Sequence, residues 1–208
     1  MPVEFAVSAL VTLFVVVDPV GLAPAFLAVT NGLSAQHRRQ VALRASLIAA
    51  AILIGAAVGG DCLLQTLGIS LPAFRIAGGL LLFSIASEMV FGWRVEREAR
   101  DAEHAMEEHV RNIAAFPLAI PLLAGPGAIT ATVLLAGQAG GRPIWLGVLI
   151  GVIAAVAIAS LITFLAAERI SKLLGITGNI VLSRLLGVIL AALAVQYVID
   201  GARAVFGT

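Results

Sequence analysis

Charge is what this chain has least of. Only 12% of its 208 residues are Asp, Glu, Lys or Arg, where soluble domains carry about 25%. With 61% hydrophobic residues and a mean hydropathy of +1.07, a water-soluble globule is excluded. Cysteine is scarcer still. Cys62 stands alone, which excludes an internal disulfide and a cysteine metal cluster. None of the three histidines, His37, His104 and His109, falls in an apolar run. Neither a Ser–His pair nor a histidine metal site is therefore available there. A phosphate-binding glycine–lysine loop is missing too, which argues against ATP hydrolysis. The expectation is a protein that is not an enzyme and holds no cofactor or metal. Net charge is only +1, so no global field points to nucleic acid. Met1-Pro2-Val3-Glu4 lacks a basic stretch, so the N-terminus is expected to lead into the first span without a cleavable signal. Alternating strands of about ten residues are also lacking, which argues against a transmembrane barrel.

What the chain does have is long apolar runs, enough for about six spans of about 20 residues each. The reading is an all-α integral membrane protein forming one domain over residues 1–208. Span one covers Val3 to Thr30, span two Val41 to Gly60, and span four Asn112 to Gly137. Span five covers Ile144 to Ala167. The stretches Leu63–Phe91 and Leu173–Phe206 are each too long for one simple span. The first is read as a short interfacial or re-entrant piece, Leu67 to Pro72, leading into a span. Ser34-Ala35-Gln36-His37 looks like a helix cap. Trp93 to Arg111 holds most of the charge and reads as a solvated helix with close opposite charges.

Two of these spans are interrupted. Asp18-Pro19-Val20-Gly21-Leu22-Ala23-Pro24 breaks the first, and Gly125-Pro126-Gly127 breaks the fourth. Proline removes a backbone donor and clashes with the preceding turn. Lipid offers no water to satisfy the freed groups, so both breaks must face protein or a watery cavity. Paired interruptions in matching halves are the sequence pointer to a transporter binding site; a plain proline kink is the alternative for each.

The halves echo one another. Leu67-Gly68-Ile69-Ser70 resembles Leu174-Gly175-Ile176-Thr177, and Asp18-Pro19 precedes Gly125-Pro126 by the same 107 positions. Arg75-Ile76-Ala77-Gly78 resembles Arg184-Leu185-Leu186-Gly187, and Gly92 matches Gly201. Repeat one is read as about 1–92, the charged connector as about 93–111, and repeat two as about 112–208. Three spans per half invert the second repeat relative to the first. Basic residues agree with N-out and C-out. Arg38, Arg39, Arg44, Arg94, Arg97, Arg100, Arg111, Arg169 and Lys172 fall inside, against Arg142 and Arg203 outside.

Candidate binding residues follow from the breaks. Half-helix ends offer N–H groups to a carboxylate and C=O groups to an ammonium, so a zwitterion suits them. Pro19, Gly21, Gly125, Pro126 and Gly127 form the breaks, and Thr12, Thr130 and Thr132 add hydroxyls or bond back to their own helices. Asp18 is the only acid deep in span one. It reads as a cap for the second half-helix, as an ammonium partner, or as a proton carrier that couples transport. Arg75 and Arg184 lie within long apolar stretches, where arginine is paired, functional or snorkelling to the interface. Glu88 reads as interfacial, and Gln196 and Tyr197 as minor polar lining.

Several of these motifs belong together. Asp18-Pro19-Val20-Gly21 with Pro24-Ala25-Phe26-Leu27-Ala28-Val29-Thr30 resembles the first-helix motif of the MarC/SnatA family of inner-membrane proteins. The run Phe116 to Thr130, containing Pro117, Pro121 and Gly125-Pro126-Gly127, resembles that family's second signature. Phe74-Arg75-Ile76-Ala77-Gly78-Gly79 and Arg184-Leu185-Leu186-Gly187 also fit. The resemblance covers nearly the whole chain. It implies six spans and transport of small neutral amino acids such as glycine, alanine, serine and threonine. Leu22 departs from the family, which often has Asn there. The leading expectation is a proton- or sodium-coupled secondary transporter in the cell inner membrane. A non-transporting membrane scaffold or assembly partner is the alternative.

Overall fold

The computed structural model describes residues 2–93 and 114–207. Except for Trp93, the charged connector lies outside the described residues. Every regular element among the described residues is helical: α1 (Pro2–Val17), α2 (Ala23–Val29), α3 (Ala35–Thr66), α4 (Leu71–Phe91), α5 (Ala114–Leu123), α6 (Pro126–Ala139), α7 (Pro143–Leu165) and α8 (Ala167–Phe206).

Both expected interruptions are present, between α1 and α2 and between α5 and α6. They leave those pieces short. Four described helices are long and apolar enough to cross a membrane: α3, α4, α7 and the Thr177–Phe206 part of α8. Their faces expose large apolar side chains such as Leu47, Leu80, Ile158 and Val188, as lipid-facing helices do. The broken segments α1–α2 and α5–α6 pack between them. α6 is buried on nearly every face from Gly127 to Leu135, which makes it a central helix.

Local chemistry sets the boundaries. Ser34 caps α3, its Oγ accepting from the His37 N–H at 3.4 Å and meeting His37 Nδ1 at 2.8 Å. α3 does not stop near Gly60 but continues past Asp61 to Thr66, where Gln65 Nε2 donates to Asp61 Oδ2. No separate interfacial piece follows it. Gly68, at φ +69°, turns the chain, and Ser70 caps α4 by accepting from Ala73 N–H at 3.3 Å. Gly175, at φ +59°, kinks α8 at the position 107 residues later. The two glycines the sequence aligned thus share a positive φ, a conformation glycine adopts at little cost. Gly92 and Gly201 share nothing comparable. Gly92 ends α4 at φ +86°, whereas Gly201 lies inside α8, where a Cβ would meet Pro72 O and Ile76 Cγ1 at 2.8 Å.

α5 is wound in the wider π form. The Ala124 N–H donates to Ala119 O, five residues back, at 2.8 Å. Pro117 and Pro121 have no N–H to contribute, so an ordinary α ladder cannot run through this segment.

α4 packs most extensively against α8. A Cβ at Gly79 would stand 2.7 Å from Ala194 O, and one at Gly187 would stand 2.8 Å from Met89 Cβ. Small residues bring the two backbones together, the usual means of helix association in lipid. Gly201 faces the start of α4 and Gly187 its end, so the two helices are antiparallel. Elsewhere, Phe26 of α2 stacks on Phe164 of α7, with centroids 4.5 Å apart. Phe5 of α1 meets Trp145 of α7 at 5.1 Å, and the Arg142 guanidinium lies over the same indole at 4.7 Å. This aromatic cluster puts the starts of α1 and α7 at one end of the bundle.

Candidate functional site

At the first break, Asp18 carries the chain out of α1. Its N–H still donates to Phe14 O at 2.9 Å, but its φ is +48°, a region Asp tolerates better than most residues. Its carboxylate turns back to accept the Gly21 N–H at 3.0 Å, and its own C=O accepts from Leu22 N–H at 3.1 Å. Asp18 is only 2% exposed. The carboxylate thus closes the turn between the two half-helices and does not cap α2 as anticipated, because the chain makes one more turn first and α2 starts at Ala23 with Leu22 in the N-cap position and no side-chain cap bond. Gly21 is required by the same contact, because a Cβ there would stand 2.7 Å from Asp18 Cγ.

At the second break, Gly125 leads into α6 with extended backbone and Pro126 takes the first helical position. The carbonyl of Pro121 occupies the space beside Gly125. Gly127 is the meeting point of the two breaks. Val16 Cγ1 lies 3.3 Å from where its Cβ would be, and Ile85 of α4 fills the rest. Thr130, one turn on, presses its methyl 2.7 Å from the Cβ position of Gly78. Thr132 Oγ1 bonds back to Ala128 O at 2.7 Å, the local alternative weighed for it.

The two breaks are therefore brought together, but packed tightly. Beside Val17 and Leu123 the void holds about 10 Å³, the room of one water molecule. Gly127 is buried and Gly21 and Gly125 are half-buried, and Asp18, the Pro121 carbonyl and Ile85 take up the volume that the missing side chains leave.

A roomier polar space than the breaks offer lies toward the start of α4. A cavity of about 360 Å³ is lined by Ser8 of α1, Arg75 of α4, Gln138 of α6, and Gln196, Tyr197 and Asp200 of α8. Gln196 Nε2 donates to Asp200 Oδ1 at 2.7 Å. Tyr197 is buried, with Thr12 and Gln138 beside its hydroxyl. Arg75 Nε is buried and meets no acceptor among the described residues. The cavity thus presents a guanidinium and a carboxylate in one largely polar space between α1, α4, α6 and α8.

Arg75 and Arg184 are not brought together. Arg184 is exposed near the end of α4, its Nη2 3.9 Å from the Cβ position of Gly92. The antiparallel pairing of α4 and α8 separates the two by nearly the length of α4. Sequence reasoning missed Ser8, Gln138 and Asp200 as lining. The signal was present for Asp200: it stands four residues after Gln196, on the same helical face, opposite an arginine with no acid on its own helix nearby.

Comparison with known sequences settles the kinship. Residues 3–206 match the sequence model of a family described as MarC family integral membrane protein. The chain belongs to the MarC family. A UPF0056 membrane protein of Archaeoglobus fulgidus is 38% identical over 199 residues, 95% of this chain and 92% of the relative. The MarC-family chain is also 36% identical to the UPF0056 membrane protein YhcE of Escherichia coli K12, over 93% of this chain and 90% of that one. With YvbG of Bacillus subtilis it shares 32% identity over 99% and 98%. No solved structure matches it.

Proposed function

We propose that this MarC-family protein is a secondary transporter of small neutral amino acids, of the size of glycine, alanine, serine and threonine. The observation that carries the reading is the cavity lined by Arg75 and Asp200. A zwitterion needs one cationic and one anionic partner, and this space offers both, with amide and hydroxyl groups from Gln138, Gln196 and Tyr197 between them. Its volume of about 360 Å³ admits an amino acid of this size. The closed meeting of the Asp18-Pro19 and Gly125-Pro126 breaks beneath it supplies the rest. Substrate enters beside Arg75, and half-helix ends receive it when the breaks part. Asp18 is the coupling group, exchanging a proton or facing a sodium ion during that opening. In this reading the chain crosses the inner membrane six times, as two inverted repeats, with both termini outside. The antiparallel α4–α8 pair, with a positive-φ glycine before each member, supports that inversion.

The test is flux of radiolabelled glycine, alanine and threonine in proteoliposomes, with and without a proton or sodium gradient. A 100 mV potential acting on one coupled charge supplies about 2.3 kcal/mol, so accumulation of roughly fiftyfold is expected. Absence of flux for all three under both gradients refutes the proposal.

A further inference from the structure

At the end of the bundle remote from Arg75, a cavity of about 570 Å³ opens between α2, the starts of α3 and α8, and the end of α7. Its polar lining is Arg38, Arg39, Glu168 and Arg169, a formal charge of +2 by three cations and one anion. The Arg38 Nη1 group is held by Glu168 Oε1. Arg38 Nε is buried and finds no acceptor among the described residues. The remaining wall is apolar and includes Ile162 and Leu165, which are 59% and 52% exposed on the outer face of α7.

We propose that this cavity binds the phosphate headgroup of an anionic membrane lipid. A phosphate supplies several acceptors at once, and arginine forks match that geometry. Basic pockets between membrane helices are suited to such headgroups. Two features select the lipid over other anions or zwitterions. Among the described lining residues the single carboxylate, Glu168, is already paired with Arg38, and the net +2 of the lining favours an anion over an ammonium. The basic rim also runs directly onto the exposed Ile162–Leu165 surface, which an acyl chain covers and a free phosphate does not.

Binding of phosphatidylglycerol, phosphatidylcholine and inorganic phosphate to the full-length protein in detergent, followed by native mass spectrometry, tests this. Phosphatidylglycerol is expected to stay bound under conditions that strip phosphatidylcholine, with inorganic phosphate far weaker than either. Replacing both exposed arginines, Arg39→Gln with Arg169→Gln, should lower phosphatidylglycerol affinity about thirtyfold, at about fivefold per charge near the surface. Glu168→Gln removes the competing carboxylate, frees Arg38, and should raise the affinity severalfold; this variant keeps the test open if the double variant fails to fold. Equal retention of the two lipids refutes the proposal. So does inorganic phosphate binding as tightly as phosphatidylglycerol, wild-type affinity in the double variant, or weaker binding in Glu168→Gln.

Discussion

The carboxylate of Asp18 fills the space in which a side chain at Gly21 would stand: its Cγ lies 2.7 Å from the position a Cβ would take, and its Oδ1 accepts the Gly21 N–H. The acid and the glycine form one device. Asp18 holds the turn between α1 and α2 closed, and Gly21 admits it.

Gly21→Ala should therefore displace the carboxylate and leave buried polar groups without partners, at a cost of about 1–3 kcal/mol. Asp18→Asn keeps an acceptor and a tolerance of positive φ, so it should fold like the wild type while losing gradient-driven accumulation. Thermal unfolding in detergent measures the first effect and liposome flux the second. Because the pair shares one contact, the double variant Asp18→Ala/Gly21→Ala should be no less stable than Asp18→Ala alone. Simple additivity of the two costs would disprove the shared device.

The α4–α8 contact gives a second prediction with a built-in control. At Gly79 a side chain would press on the Ala194 carbonyl and on Val198, each 2.7 Å away, whereas Gly55 and Gly59 of α3 have nothing within 4 Å. Gly79→Val should lower stability by about 1–3 kcal/mol or more through overpacking. Gly55→Ala and Gly59→Ala should be neutral or stabilising by up to about 1 kcal/mol, since alanine is the better helix former. Melting temperatures of the three variants decide the matter.

The two arginines should separate in function. Arg75 lines the polar cavity and Arg184 does not. Arg75→Lys or Asp200→Asn should raise the KM for alanine by about tenfold or more, as expected for loss of a charge-assisted hydrogen bond of about 1.5–3 kcal/mol. Arg184→Lys should leave KM unchanged. Equal effects at positions 75 and 184 would place the substrate elsewhere.

Topology is open to a direct measurement. In a Cys62→Ala background, single cysteines at Arg39 and Arg142 should label from opposite sides of the membrane, the first from inside and the second from outside. Labelling of both from one side would rule out the six-span inverted arrangement.

Much of this was legible in the sequence. Proline and glycine act locally, so Asp18-Pro19 and Gly125-Pro126 announced their breaks, and Ser34 its cap. The positive-φ pair Gly68 and Gly175 was legible as a repeat before its conformation was known. The far ends of helices were harder to read. Nothing local stops α3 at Gly60, because Asp61 can bond to Gln65 on the same helix and the ladder simply continues. The cavity was only half legible, since Arg75 stood out and Gln196 and Tyr197 read as minor lining, while Ser8, Gln138 and Asp200 gain meaning only from the packing of α1, α6 and α8. Covering of the break glycines was not legible either: Ile85 and the Pro121 carbonyl reach them through tertiary contact and through the π winding of α5.

The intimate pairing of α4 with α8 has a consequence for biosynthesis. α4 is complete at Phe91, yet the helix that covers Gly79 begins only at Ala167 and faces it with Ala194 and Val198, near its far end. During translation α4 must wait in the bilayer, with that glycine face shielded by lipid or by the insertion machinery, until α8 is released. Assembly is then committed by the C-terminal helix, and a chain truncated before Ala194 would leave the nascent protein without its closing contact.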